Sequence, residues 1–407
     1  MCSHLAPFAP SRLVIFKPSN HTYMLTNQGH KFRIPEDVTY LNIAYMGPLL
    51  REVERMGHEA VSRKALPYEI GLDDFFKPVE RVKKQFSKLI DIEDHRDVAI
   101  LPSVSYGMAQ VANNIPWRKG GEILVVDEQF PSNIYIWQKM AERHGLTIRT
   151  IPSPKTMPQK GKKWNVQLLD AINDKTLLVA LPIVHWADGT YFDPAPIREK
   201  TNRYDAYLVI DGTQSIGALP FSVSEIKPDA IIAAGYKWLL GPYSIGLGYF
   251  GERFADGDPI EENWITRLGS ENFSALVNYQ PKYQEKAFRY SVGEVSNFIG
   301  IPMLSKALKQ ILEWGVGNIQ DYCRRIAAPH IEAFRDLGCE LADDDERCHH
   351  LFSIRLPRKM EGLKEKLDSE KIFISIRGDY IRVAPHVYNT EDDFGRLYQG
   401  LKNALQV

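Results

Sequence analysis

The sequence predicts an α/β protein: a large unit built on a mainly parallel sheet, followed by a smaller α+β unit. Three observations carry this. From residue 98 to Asp211, short apolar runs alternate with helical patterns, which implies right-handed crossovers and a sheet covered on both faces. The run Tyr207 to Ile210 is β-branched and apolar, as a strand buried on both faces requires, and it delivers Asp211 at its carboxyl end. Beyond residue 350 the strands become short and mix with helices, the pattern of an α+β unit.

Length and composition agree. A chain of 407 residues suggests about two domains. Its 44% hydrophobic and 25% charged residues are ordinary for a globular protein with a substantial core. The net charge of -1, without a basic excess, gives no reason to expect a nucleic-acid partner. No run approaches the ~20 apolar residues of a spanning helix, so no membrane partner is expected. Cys2, Cys323, Cys339 and Cys348 lack CxxC spacing and disulfide-scaffold density, and the proline-broken N-terminus lacks a signal-peptide core. The expectation is a cytoplasmic protein.

Taken in order, residues 1–39 are irregular, with Pro7, Pro10, Pro18 and Pro35 too close for a long helix. Residues 40–48 read as an extended segment ending in a turn, then a helix over 49–62 and another over 75–90. Residues 1–50 form an arm and substrate-side segment, 51–290 a large domain, and 291–407 a small one. Within the large domain, strands are expected at 98–101, 123–126, 146–151, 177–183, 207–210 and 244–251, and a further apolar run covers 230–235. Helices are expected from the loop at 102–109 to about 114, at 134–144 and near 166–173. The lysine-rich stretch with Lys155, Lys160, Lys162 and Lys163 reads as a solvated loop tip. Helices to 314 and over 319–337 lead into strands at 351–355, 372–377 and 380–384 with helices at 360–367 and 391–404.

The chemistry centres on Asp211 and Lys237. A carboxylate at the carboxyl end of a buried parallel strand faces the ligand side of the sheet. Lys237, between the run ending at Gly235 and Trp238-Leu239-Leu240, is an ammonium in apolar surroundings. Burial lowers such an amine's pKa and frees it to attack an aldehyde. Together they match the needs of pyridoxal phosphate, which takes a lysine for its Schiff base and an anion at its ring nitrogen. Gln214 can donate to the ring's phenolic oxygen. The loop of residues 102–105 running into a helix offers amide donors to a phosphate, although Ser105 can equally serve as a helix cap. His185 and Trp186 follow a strand end, where either can hold the cofactor or the substrate; a structural histidine is the alternative.

The stretches VIDGTQSIG and AAGYKWLLGPYSIG resemble the aminotransferase class V branch of the fold-type I pyridoxal phosphate enzymes, which includes cysteine desulfurases, kynureninases and isopenicillin N epimerase. The resemblance implies a fold-type I PLP-dependent transferase with a seven-stranded sheet, a homodimer, and an amino acid or amine as substrate. It places Val104 and Ser105 at the phosphate, Phe130 on the face of the pyridine ring, Asn42 and Ala44 on the substrate side, and Ser270 and Asn272 at a neighbour's phosphate across a dimer interface. It implies that Tyr236 replaces a phosphate hydroxyl, as in kynureninases. Arg382, alternating with apolar neighbours in RGDYIRVAPHVYN, matches the family's carboxylate-binding segment, where a guanidinium grips a substrate carboxylate through paired hydrogen bonds. The segment Arg377-Gly378-Asp379-Tyr380 runs into Arg382 without the loop cysteine that desulfuration needs, so a desulfurase is not expected. An aminotransferase is the expectation, with an epimerase or a kynureninase-like lyase as the alternative. Asp343-Asp344-Asp345 and Cys348-His349-His350 lack the spacing of a metal site.

Overall fold

The computed structural model describes residues 24–155, 157 and 159–405. Residues 1–23 of the expected N-terminal arm lie outside the described residues. A short strand, β1 (Thr39–Tyr40), precedes two helices, α1 (Arg51–Lys64) and α2 (Leu72–Leu89). The Gly71 amide donates to Asp74 at the start of α2, which turns Val79, Val82 and Phe86 toward the core at helical spacing.

The expected alternation follows: β2 (Val98–Leu101), α3 (Val104–Asn113), β3 (Glu122–Val126), α4 (Tyr135–His144), β4 (Thr147–Ile151), α5 (Lys160–Ala171), β5 (Thr176–Pro182), α6 (Pro194–Arg203) and β6 (Tyr207–Asp211). The short helix α7 (Val223–Ile226) leads to β7 (Ala230–Ala234) and β8 (Gly246–Phe250). These make a seven-stranded sheet in the order β2-β8-β7-β6-β5-β3-β4. From β3 to β7 the neighbours pair in parallel, whereas β8 lies antiparallel between β2 and β7. Side chains alternate across the sheet with a period of two. Leu124, Val179, Leu208 and Ile231 enter one core; Ile123, Leu178, Val209 and Ile232 enter the other. Apart from the largely exposed edge strand β4, the strands therefore have almost no face left for water, and chemistry is confined to their ends.

The remaining chain folds as α8 (Gly300–Trp314), α9 (Val316–Asp336), β9 (Phe352–Arg355), α10 (Leu363–Ser369), β10 (Ile372–Phe373), β11 (Ser375–Arg377), β12 (Tyr380–Val383) and α11 (Glu391–Leu405). Strands β11, β12 and β9 form a three-stranded antiparallel sheet over its own apolar cluster, while β10 pairs in parallel with β1. The strand expected over 372–377 is thus two strands, divided at the buried Ile374, because its first half pairs with β1 and its second with β12.

One expectation fails clearly. Lys160 is no solvated tip: it opens α5 and is buried, with its ammonium 2.5 Å from Asp188. The partner that makes this burial tolerable lies far along the chain, beyond the reach of a local reading.

Candidate active site

The carboxyl ends of β5, β6 and β7 and the N-terminus of α3 enclose a cavity of about 230 Å³. Of the residues singled out above, Val104, Ser105, Phe130, Trp186, Asp211, Gln214, Tyr236 and Lys237 line it. The last residue of β6 is Asp211, and Lys237 follows three residues after the end of β7, so adjacent parallel strands carry the two groups to one rim.

Lys237 is only 8% exposed. Burial pulls its amine down to about 8, against the opposing pull of the Asp211 carboxylate; the positive charges of Arg382 and Arg377 lower it further. Its Nζ lies 5.6 Å from the ring centres of both Phe130 and Tyr236. Asp211 is buried, which raises its pKa despite a 3.0 Å hydrogen bond from the Thr213 amide and help from the Thr213 hydroxyl and Lys237. The loop after β1 covers the lysine from the other side. There the Gly47 amide donates to the Tyr236 carbonyl at 2.9 Å, and a Cβ on Gly47 would stand 2.2 Å from the Lys237 carbonyl oxygen.

At the opposite end, the cap of α3 is Ser103, not Ser105: its Oγ accepts from the Tyr106 amide at 3.1 Å. That cap leaves the amides of Val104 and Ser105, two residues of the cavity lining, without intrahelical acceptors at the helix end where the dipole favours an anion. Tyr236 is half-buried with its ring 4.4 Å from that of Tyr243, a second wall phenol that the sequence did not flag.

Gln214 has part of its side chain committed. Its Nε2 donates to the Ala44 carbonyl at 3.1 Å and its Oε1 accepts from the Trp238 indole at 2.8 Å, leaving one amide hydrogen for a ligand. Phe130, 39% exposed, meets Trp186 edge to face at 5.4 Å.

His185 and Trp186 part company. Trp186 lines the cavity, with its indole N–H donating to the Glu128 carbonyl at 2.7 Å. His185 is fully buried beneath it, its Nδ1 3.1 Å from Asp188 and its Nε2 3.2 Å from the Asp127 carbonyl. The geometry brings His185 to the scaffold and not to the cavity wall. Arg382 is 1% exposed, donating to the Trp186 carbonyl at 2.7 Å and to Ser375 Oγ at 3.4 Å, with its Nε buried and unbonded. Ser375 Oγ in turn donates to Asn42 Oδ1 at 2.8 Å, so Asn42 stands behind the arginine. Ser270 and Asn272 are not in the cavity. Ser270 Oγ donates to the Ile265 carbonyl at 2.8 Å, and Asn272 accepts from Ser274 at 2.7 Å in an exposed turn.

The donor set of the cavity fits pyridoxal phosphate: an amine short of charge partners, a buried acid, an aromatic face and a helix N-terminus; Arg382 and Asn42 are not among the residues that line it. No cluster of three or more metal-ligating side chains is present among the described residues.

Comparison with known proteins agrees with the fold. The aminotransferase class-V family model matches residues 72–389. An uncharacterized aminotransferase of Bacillus subtilis, YcbU, is 29% identical over 319 residues, covering 77% of this chain and 80% of its own. Isopenicillin N epimerase of Streptomyces clavuligerus is 26% identical over 56% of this chain and 57% of its own. The cysteine desulfurase of Shigella sonnei is 26% identical over 64% of this chain and 63% of its own. Among solved structures, a C-DES mutant with glycine covalently linked to its PLP cofactor superposes with a TM-score of 0.82 at 21% identity, covering 93% of this chain and 100% of that one.

Proposed function

Since the chain belongs to the aminotransferase class-V family, we propose that it is a pyridoxal phosphate enzyme acting on an amino acid or amine, and specifically an aminotransferase. The observation that carries this reading is the depressed amine of Lys237 in one cavity with the buried Asp211.

When bound, pyridoxal phosphate supplies an aldehyde that captures amines and a ring that accepts the electron pair released at the substrate Cα. Lys237 would hold the aldehyde carbon and, as a free amine, would carry a proton to or from the substrate Cα; an amine near 8 would do so with little driving-force penalty around neutral pH. Asp211 would pair with the ring nitrogen and hold its proton. Phe130 would cover one ring face, and the Val104 and Ser105 amides, with Tyr236, would hold the phosphate. Gln214 would offer its remaining amide hydrogen to the phenolic oxygen. Arg382 grips the substrate carboxylate and, backed by Ser375 and Asn42, orients the Cα–H bond toward Lys237.

Against a desulfurase stands the lack, among the described residues, of an exposed thiol or of a cysteine in the β11–β12 turn. The β11–β12 turn holds only Gly378 and Asp379, and Cys323, Cys339 and Cys348 are all buried with thiols pushed up by burial. Epimerisation is the second reading, favoured by the similarity to isopenicillin N epimerase. Mixing the cofactor-loaded protein with L- and D-amino acids decides among them. Conversion of the visible spectrum to that of pyridoxamine phosphate supports transamination. Cα-deuterium loss without net conversion supports epimerisation, and absence of any change with every amine contradicts the reading.

The functional unit in this reading is a homodimer in a reducing cytoplasm. Leu268, Phe273, Leu276, Val277 and Tyr279 are all exposed around Ser270 and Asn272, an apolar segment suited to meet a second copy near its phosphate. A monomeric mass in solution at micromolar concentration would contradict this.

A further inference from the structure

We propose that the substrate carries a second anionic group beyond its α-carboxylate, and that Arg377 binds it, which makes the substrate an acidic amino acid. The inference rests on the reading of Arg382 as the α-carboxylate site.

Its basis is the β11–β12 hairpin. Ser375 pairs with Arg382 and Arg377 with Tyr380, while Ile376 pairs with Ile381. Opposed residues share a face and alternate residues return to it, so Ser375, Arg377, Tyr380 and Arg382 project on one side and the two isoleucines on the apolar side. Both guanidinium groups reach Trp186 on the cavity wall. Arg382 donates to its carbonyl at 2.7 Å, and the Arg377 Cζ lies 5.3 Å from its ring centre. Both charges also act on the Lys237 amine.

Among the described residues no carboxylate acts on either arginine, and each has a buried Nε without a hydrogen-bond partner. The one side-chain hydrogen bond that Arg377 makes among the described residues goes to the adjacent Ile376 carbonyl, at 2.9 Å. Two like charges in a partly desolvated site repel one another and call for anions. A single α-carboxylate on Arg382 leaves the Arg377 fork open. A side-chain carboxylate or sulfinate of the same substrate, a few bonds away, supplies the missing charge in the geometry that a guanidinium favours.

The test is an equilibrium titration of the cofactor-loaded protein, read by visible absorbance, with aspartate and glutamate against asparagine and glutamine. The acidic ligands are expected to half-saturate at concentrations at least about tenfold lower, as a charge-assisted hydrogen bond implies. Arg377→Met should remove most of that preference, Arg377→Lys should keep part of it, and Arg382→Met should weaken acidic and neutral ligands alike. Equal affinities in the parent protein, or an Arg377→Met variant that weakens both classes equally, would overturn the inference; the second result would mean that both arginines share one carboxylate. A thermal-shift comparison of succinate with propionate separates this from failure of the parent reading, since neither ligand has an amine. If no amine changes the absorbance, a larger succinate stabilisation that is lost in Arg377→Met still supports the paired site. Equal shifts from the two acids sink it.

Discussion

Two buried lysine–aspartate pairs sit in the large unit, and they behave in opposite ways. Lys160 and Asp188 are in contact at 2.5 Å. Burial works against both charges, yet their proximity, with His185 beside the aspartate, holds Lys160 above its ordinary pKa and Asp188 well below its own. Lys237 and Asp211 share a cavity without closing into an ion pair among the described residues. There burial dominates, lowering the lysine to about 8 and raising the aspartate. The same two residue types therefore make a fastener in one place and a poised acid–base set in the other. What separates them is whether a close partner offsets desolvation.

The fastener also serves the site. Asp188 accepts from the Thr190 amide at 2.9 Å and closes the turn from His185 to Gly189, in which a Cβ on Gly189, at φ +79°, would meet the Leu351 carbonyl at 2.5 Å. That turn presents Trp186, and through its carbonyl fixes Arg382.

The contrast is broken most severely at the poised pair. Lys237→Ala should lower turnover by at least about 10³-fold, consistent with loss of both the covalent anchor and the proton carrier, with the fold retained. Steady-state rates together with far-UV circular dichroism check this. At the fastener the loss should instead be in stability: Lys160→Met leaves Asp188 and His185 without the cation and should cost about 3–5 kcal/mol, read as a lower denaturant midpoint. The double replacement Lys160→Met with Asp188→Leu should recover more than half of that loss, because no lone charge stays buried. A double variant as unstable as the single one would show that the turn depends on the Asp188 hydrogen bonds themselves.

A smaller effect follows from pH. An unfolded lysine binds its proton up to about 10.4, whereas Lys237 in the fold releases it near 8. Between these values the unfolded state holds more protons, so this group's contribution makes the protein more stable as pH rises. Asp188 has the reverse placement: its contribution is present above about 3.9 and is lost as pH falls. Denaturant midpoints of the cofactor-free protein across pH 7.5–10.5 should therefore rise less steeply in Lys237→Met than in the parent sequence. An unchanged slope would mean that the amine is not desolvated.

The sequence reveals the poised pair and hides the fastener for a physical reason. Asp211 and Lys237 each follow a continuous apolar strand, so their place at the sheet's carboxyl edge can be read locally. Lys160 sits amid other lysines, and its burial is decided by Asp188 on a different loop. The same limit explains His185, whose partners at Asp127 and Asp188 turn it away from the cavity, and Ser103, which takes the capping role open to Ser105. Arg377 escaped notice because its meaning depends on cross-strand register with Arg382. The strand–helix order was legible almost throughout, since it rests on periodicity. The break at Ile374 was not, because it depends on which neighbour each half pairs with.

The most direct test separates the lysines chemically. The protein is loaded with pyridoxal phosphate, reduced with borohydride, digested, and the peptides are weighed. The cofactor mass should appear on the peptide containing Lys237 and be absent from those containing Lys160 and the buried Lys83. Label on another lysine with Lys237 unmodified would contradict the account at its centre.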